Sequence, residues 1–390
     1  MKTRDVVIIG GGVIGSAVAY FLAADPQFNG SVTVLEKDPT YAACSTGLSV
    51  GGVRQQFSIA ENILISRFSL NFLDQAEQLL AVEDQTPQLS FVRGGYLFLA
   101  TPAGRGILEA NYRLQTDLNV DVSLLEPEAL RQLFPWLEVT DLAAGALGKN
   151  EGWLDPYSLL RAFAAKARSL GVIYKTAEVI GLQRSGPKVT AVELADGQVI
   201  SCGDVVNAAG PRAWQIAEMV GLELPVRPRK RMVYTIACPE KISGLPLLIN
   251  PNGVYVRPEG PNYLCGVSPP ADQDPDCLDL NPDESLFFER IWPTLAHRIP
   301  AFERLKLLSS WAGHYAYNIE DQNAVLGPHP EIDNFYFANG FSGHGLQQSP
   351  AVGKALSELI IDGKYQSLDL SGFCFERFAS GRLLKERNVV

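Results

Sequence analysis

Apolar and polar positions along the chain follow two rhythms. Near the amino terminus Val6-Val7-Ile8-Ile9 is an unbroken apolar run, as expected of a strand buried on both faces of a parallel sheet. A glycine-rich turn follows, Ala17 to Ala24 carries the small and apolar residues of a packed helix, and Val32-Thr33-Val34-Leu35 reads as a second strand ending at Glu36. Further on, Asp155 as N-cap and Pro156 at the first helical position open an amphipathic helix on Leu159, Leu160, Phe163, Ala167 and Leu170, with Gly171 as its stop. Val172-Ile173-Tyr174 is the next strand. Val189–Leu194 and Val199–Cys202 form a hairpin across Asp196-Gly197. Asp204–Asn207 returns the chain to the first sheet before Ala208-Ala209-Gly210. Near the carboxyl end, Phe335–Asn339 is a strand and Gly340-Phe341-Ser342-Gly343-His344-Gly345 a loop. Ser349 as N-cap and Pro350 at the next position predict a helix through about Ile361. Tyr96–Leu99, Met232–Ala237, Gly253–Arg257 and Tyr263–Val267 read as strands of a second, antiparallel sheet.

Composition narrows the function. The 390 residues are 46% hydrophobic and 19% charged, which is folded protein of two to three domains' length. With 33 Lys and Arg against 43 Asp and Glu, the net charge of −10 argues against nucleic acid and for a small-molecule partner. The six cysteines are never closer than twelve positions, and His297, His314, His329 and His344 lack i, i+4 spacing, so no metal site is expected. Lys2 and Arg4 ahead of an apolar stretch imitate a signal peptide, but Gly10, Gly11, Gly12 and Gly15 break that stretch. No later run spans a bilayer. The chain is therefore read as soluble, without an integral membrane segment, and expected in the cytoplasm.

The glycine turn carries the chemistry. Gly10 allows the tight turn, Gly12 lets a pyrophosphate approach the backbone, and Gly15 lets helix and strand touch. The helix N-terminus faces the phosphates. Glu36, 21 positions after Gly15, is placed to accept both hydroxyls of an adenosine ribose. FAD and NAD share this ADP half, so the turn alone does not choose between them. No second glycine fingerprint appears. Three other segments suit a flavin: the small, Gly-rich stretch Cys44–Gln56, the strand ending at Ala209-Gly210, and the loop Gly340–Gly345 with its following helix N-terminus, an anion site for the reduced ring.

Taken together, these residues resemble the D-amino acid oxidase superfamily of FAD-dependent amine oxidoreductases, in the branch with sarcosine oxidases, dimethylglycine dehydrogenase and FOXRED1-like proteins. The resemblance rests on the glycine turn with Glu36, Gly51-Gly52-Val53-Arg54-Gln55-Gln56-Phe57, Gly94-Gly95-Tyr96-Leu97-Phe98-Leu99, Asn207-Ala208-Ala209-Gly210, Trp311-Ala312-Gly313 and Gly340 to Gly345. It implies an α/β fold: a Rossmann-like FAD-binding domain assembled from residues 1–90, 150–220 and 320–390, and an inserted antiparallel-sheet α+β substrate domain from 91–149 and 221–319. Implied cofactor contacts are Gly10, Gly12, Val13, Ile14, Gly15, Glu36 and Lys37 on the first turn and strand, then Ser45, Thr46, Gly52, Val53 and Arg54. Val179, Ala209, Gly210 and Trp214 complete the middle, and Gly343, His344, Gly345, Leu346 and Gln347 the far end.

The implied reaction is oxidation of an amino acid or secondary amine, of the N-methyl or cyclic class, with hydride passing from the carbon next to nitrogen to flavin N5 and an imine released. Arg54 and Arg257 are the candidate carboxylate grips, and Tyr255, Tyr315 and His344 the walls or hydrogen-bond partners. The chain departs from sarcosine oxidases at three places. Gln347 stands where they carry a lysine grip, Gly313-His314-Tyr315 lacks their flavin-linking cysteine, and Asn262–Gly266 lacks their oxygen-activating lysine. The glycine oxidase arginine after Trp-Ala-Gly is also absent. Noncovalent FAD and either oxygen or another electron acceptor follow, and a protein partner or second copy of the chain stays open. Two rivals are carried. One is a noncatalytic, FOXRED1-type assembly factor, and the other a serine hydrolase using Ser49 in Gly47-Leu48-Ser49-Val50-Gly51.

Overall fold

The structure, a computed structural model, describes residues 4–387. Its first sheet has six strands in the order Val325–His329, Ile332–Asn339, Asp204–Asn207, Arg4–Ile9, Gly30–Glu36 and Ile173–Thr176. All neighbours are parallel except the first pair. The central strand is buried on both faces, with Val6, Val7, Ile8 and Ile9 each at most 4% exposed, as its unbroken apolar run requires. In a sheet of this kind the strands' carboxyl ends share one edge. Gly10, Glu36, Ala208 and the loop after Asn339 therefore come together there.

Two helices set that edge. One, Val13–Ala24, begins earlier than the apolar run from Ala17 suggests, directly on the glycine turn. The other runs Gly345–Asp362. They cross closely because Gly353 lies on Ala17: a Cβ on Gly353 would sit 2.8 to 2.9 Å from Ala17 and Phe21 atoms. The absence of a side chain thus brings both helices' N-termini to one place. Here the expected helix start is corrected. Ser349 and Pro350 are not N-cap and first turn but lie inside the helix, which opens at Gly345 after His344. Pro350 has no N–H for the Leu346 carbonyl, and the Ser349 hydroxyl donates to that carbonyl instead at 2.8 Å. Local substitution of one donor for another keeps the helix continuous.

A second sheet of eight strands lies over the same edge. Its order is Lys306–Asn318, Val226–Ala237, Asn262–Gly266, Tyr255–Glu259, Leu247–Ile249, Tyr96–Ala100, Ala144–Gly148 and Val122–Leu125. Neighbours are antiparallel except Leu247–Ile249 with Tyr96–Ala100. The strand expected from Gly253 begins at Tyr255, because Gly253, at φ +84°, makes the turn back to Asn250. Pro156–Ser169 is a helix capped as read, the Asp155 carboxylate accepting from the Tyr157 N–H at 3.0 Å. Val179–Ser185, Lys188–Leu194 and Val199–Ser201 form a separate three-stranded sheet.

Candidate cofactor and active site

One cavity runs between the parallel sheet's carboxyl edge and the second sheet. Gly10, Gly12, Val13 and Ile14 line it with Glu36, Lys37, Val179, Ala209 and Gly210. Ser45, Thr46, Gly52 and Arg54 line it with Gly343, His344, Gly345, Leu346 and Gln347. Gly10 is at φ +104°, and a side chain there would collide with the Ala208 carbonyl. The Glu36 carboxylate is fixed by two backbone N–H groups of other residues, Oε2 accepting from Gly11 at 2.8 Å and Oε1 from Asp38 at 2.9 Å. Each oxygen keeps a lone pair for a hydroxyl. Glu36→Ala is expected to weaken FAD retention by about 10- to 100-fold, the worth of about one charge-assisted hydrogen bond. Unchanged flavin content in the purified variant would contradict the ribose assignment.

The middle of the cavity fits a dinucleotide's phosphates. The Ser45 hydroxyl is buried there with no hydrogen-bond partner among the described residues, so it lacks an acceptor. Around Gly12 the nearest atoms to a would-be Cβ are Cys44 Sγ at 3.5 Å and Thr46 Oγ1 at 3.6 Å, which leaves a cradle open to solvent or ligand. Thr46 Oγ1 also accepts from the Val13 N–H at 3.3 Å, joining the second segment to the helix start. In the helix Gly345–Asp362 the first N–H groups have no partner within the helix, and they begin at the cavity wall.

Four expected contacts lie elsewhere. Gly15 is not in the lining but under the Gly10 carbonyl, where a side chain would not fit. Val53 alternates away: Gly52 and Arg54 face the cavity and Val53 the core. Trp214 sits in the short helix Ala213–Glu218, whose neighbourhood presents Arg212, Gln215, Ile216 and Met219 to the cavity. That i, i+3, i+4, i+7 face excludes Trp214, whose ring instead lies under the Arg227 guanidinium at 5.4 Å.

Arg257 is the fourth and the largest correction. Its Nε donates to the Val50 carbonyl at 2.9 Å and its Nη1 to the Pro258 carbonyl at 2.7 Å. It pairs with Glu259 and lies over the Trp153 ring. It does not line the cavity. Arg257→Ala is therefore expected to cost about 2 to 4 kcal/mol of stability through the orphaned Val50 carbonyl and lost stem packing, with the substrate's apparent KM nearly unchanged. Chemical unfolding read beside steady-state kinetics checks both halves.

Arg54, Tyr255, Tyr315 and His344 do line the cavity. Arg54 is 3% exposed, and its guanidinium lies 4.4 Å from the Phe57 ring centre and 5.1 Å from that of Phe98. Its Nη2 donates to His344 Nε2 at 3.0 Å. Since arginine only donates, His344 accepts through Nε2 and carries its proton on Nδ1. Burial and the Arg54 charge hold the imidazole down at about 3, so it is neutral at physiological pH. Among the described residues no carboxylate pairs with Arg54. Its backbone is tied to the helix Gly345–Asp362, the Arg54 N–H donating to Gln347 Oε1 at 2.6 Å. Tyr96, Leu247, Ile249 and Met232, none of them singled out in the sequence as site residues, complete the wall. Burial pushes the Tyr96 hydroxyl up to about 12 and that of Tyr255 well above its ordinary value, so both stay neutral phenols.

A residue with no sequence signal lies behind this wall. Glu151, 1% exposed, accepts from the Gln55 N–H at 2.6 Å and from Gln56 Nε2 at 2.7 Å, and Gln56 Nε2 also donates to the Tyr96 carbonyl. Burial raises its carboxyl to about 7, against the lowering effect of the Gln56 and Gln55 hydrogen bonds and Arg54. The folded state then holds a proton that the unfolded chain releases near 4.5. Stability contributed by this group is full below about 4.5 and falls as pH rises toward 7, by about 3 kcal/mol in all. Glu151→Gln keeps the hydrogen-bonding shape and cannot ionise. Its unfolding free energy is expected to lose that decline between pH 4.5 and 7, and a decline identical to the wild type's would contradict the burial effect.

Residues 41–50 are turns, with no strand leading to Ser49, whose Oγ accepts from the Gly51 N–H at 3.1 Å. The nucleophile elbow of a hydrolase is not formed. Among the described residues no group of three or more His, Cys, Asp or Glu is arranged to hold a metal, and no helix is long and apolar enough to cross a membrane.

A glycine turn with a ribose acid, facing a second turn and helix N-terminus across one cavity, defines a dinucleotide-binding flavoprotein. The comparison with protein families agrees: the model of the DAO family, FAD dependent oxidoreductase, matches residues 5–359, and the chain belongs to that family. FAD is its cofactor. The chain is 44% identical to the FAD-dependent oxidoreductase domain-containing protein 1 of Xenopus laevis, over all of this chain and 85% of that protein. It is 30% identical to the mitochondrial dimethylglycine dehydrogenase of Mus musculus, over 92% of this chain but 42% of that protein. Among solved structures, the L-proline dehydrogenase from P. horikoshii superposes with a TM-score of 0.87 at 28% identity, covering 98% of this chain and 100% of that one.

Proposed function

We propose that the protein oxidises an amino acid or secondary amine of the N-methyl or cyclic class at the carbon next to nitrogen, releasing an imine. The observation that carries this reading is Arg54, a buried guanidinium at the cavity wall without a carboxylate partner among the described residues. A cation in an apolar surround lowers its free energy by acquiring an anion, and a planar fork suits a carboxylate. When bound, FAD supplies the acceptor for the hydride. The chain's own residues do the rest. Arg54 binds and orients the carboxylate, and His344 Nε2 with the Phe57 and Phe98 rings holds the guanidinium in place. Tyr96, Tyr255, Leu247 and Ile249 exclude water. The carboxylates in the lining, Glu36, Asp38 and Glu178, all stand at the ends of Gly30–Glu36 and Ile173–Thr176, away from the Arg54 segment in the chain. With His344 neutral and Glu151 behind the wall, engaged by Gln55 and Gln56, no general base faces the cavity beside Arg54, so the amine enters unprotonated and positioning does most of the work.

The fold likeness to L-proline dehydrogenase and the similarity to dimethylglycine dehydrogenase support the amine class. The substrates in their names, a cyclic and an N-methylated amino acid, set the panel to test. Anaerobic mixing of the yellow protein with N-methyl, cyclic, D- and L-amino acids should bleach the flavin with at least one of them. The speed of recolouring in air then separates oxidase from dehydrogenase. A second reading, a noncatalytic FAD-binding role, is favoured by the 44% identical relative's name, which gives a domain and no substrate. A yellow protein that no amine bleaches supports it over catalysis.

A further inference from the structure

Between the strand Asn262–Gly266 and the helical residues after 284, the chain crosses the cavity with a single turn of 3-10 helix, Ala271–Gln273. Most of residues 271–285 are exposed, and apolar burial does little to hold them. Leu278 lines the cavity while remaining 39% exposed, and Leu280 lines it while only partly buried against the second sheet's core. What holds the segment is charge. The strand Val226–Ala237 faces it with Arg227, Arg229, Lys230 and Arg231, and the segment answers with Asp274, Asp276 and Asp279. Arg229 lies 2.9 Å from Asp276, and Lys230 lies 3.1 Å from Asp279. Hydrogen bonds accompany them: Cys277 N–H donates to the Pro228 carbonyl at 2.9 Å, the Tyr234 hydroxyl to the Asp283 carbonyl at 2.6 Å, and Arg229 to the Asp274 carbonyl.

These pairs are unequal. Asp276 and Asp279 are about half exposed, where an ion pair contributes little. Arg231 and Asp274 have side chains only 10% and 11% exposed and meet bidentately, Nη1 to Oδ1 at 2.7 Å and Nη2 to Oδ2 at 2.8 Å. Arg231 is also a cavity-lining residue, its guanidinium 5.0 Å from the Tyr315 ring centre. Thus the strongest tie of an otherwise loosely held segment is made by a residue of the cavity wall itself.

We propose that residues 270–283 are a strap closing the cofactor cavity, latched by the Arg231–Asp274 pair. The inference rests on the assignment of this cavity to FAD. Both side chains are nearly buried, so salt screens the latch only weakly, and removing the Asp274 charge loosens it where salt does not.

The test is the rate of FAD release from the holoprotein on dilution into FAD-free buffer, read as recovery of flavin fluorescence at low and high sodium chloride. Asp274→Asn is expected to release FAD about 10-fold faster or more than wild type at both salt concentrations, whereas Asp276→Asn stays within about 2-fold of wild type. Thermolysin cleavage ahead of Leu278 or Leu280 in the FAD-free full-length chain should rise in the Asp274 variant as well. Equal FAD release by wild type and Asp274→Asn at both salt concentrations overturns the strap. If instead the wild type binds no FAD, the cofactor reading fails, and cleavage alone decides the latch: faster in Asp274→Asn supports it, equal rates overturn it.

Discussion

Replacing Arg54 by methionine is expected to raise the apparent KM for a carboxylate-bearing amine by about 30-fold or more while the protein stays yellow. The figure follows from the cost of removing one member of a buried charge pair, about 2 to 5 kcal/mol. Methionine preserves much of the volume between the Phe57 and Phe98 rings, so the aromatic wall should not collapse. Lysine is not a safe substitute, because one ammonium cannot serve both His344 Nε2 and a bidentate carboxylate. The signature is selective. An amide or ester of the same amine, which gives Arg54 no anion, should lose far less than the free acid does. Steady-state kinetics on the acid and its amide, with wild type and variant side by side, reads this directly, and equal losses for both would place the carboxylate elsewhere.

The second large effect is expected at Gly12, and its contrast with Gly15 makes it diagnostic. Gly12 has φ −60° and ψ −176°, a conformation open to any residue, and the nearest atoms to a Cβ stand at ordinary contact distance. Gly12→Val should therefore fold with a stability within about 1 kcal/mol of the FAD-free wild type. The side chain fills the cradle between the helix start, Cys44 and Thr46, where phosphates approach the backbone, and FAD affinity is expected to fall by about 100-fold or more. At Gly15 a Cβ would enter the Gly10 carbonyl, so Gly15→Ala should damage the fold itself. A colourless, well-folded Gly12 variant beside an unstable Gly15 variant is the expected pair, measured by flavin content and thermal melting. A Gly12→Val protein that purifies fully yellow would remove the phosphates from this turn.

What could be read in advance was what local rules decide. The Val6–Ile9 run, the glycine turn and Glu36 each carry a strong short-range signal, and all three stand at the cavity as their order in the chain implies. The cap at Asp155 and the hairpin turn at Asp196-Gly197 are likewise local. Other strands gave no such signal. Ala144–Gly148 is built of small residues because Leu130 lies on Gly145, a long-range reason absent from the segment itself. Lys306–Asn318 has no clean alternation because parts of it are exposed on both faces.

At the site the same division holds. The Ser349-Pro350 pair satisfies a helix-start rule, yet the loop from Gly340 feeds the helix five residues earlier, and Ser349 repairs the bond that Pro350 removes. Strand alternation places Arg257 on the same side as Tyr255, but not at the same destination, since the Val50 carbonyl and Trp153 ring intervene. Asn150-Glu151-Gly152 reads as a polar turn. Its burial beside Gln55 and Gln56 exists only once strands distant in sequence have met.

A crystal structure of the yellow protein tests the central claim most directly. The account predicts one continuous dinucleotide density, with its ribose against Glu36, its phosphates over Gly12 and Ser45, and its ring system beside Arg54 and the Gly343–Gln347 turn. Density confined to one of these turns, or a ring system placed outside the wall formed by Arg54, Tyr255 and Tyr315, would contradict it.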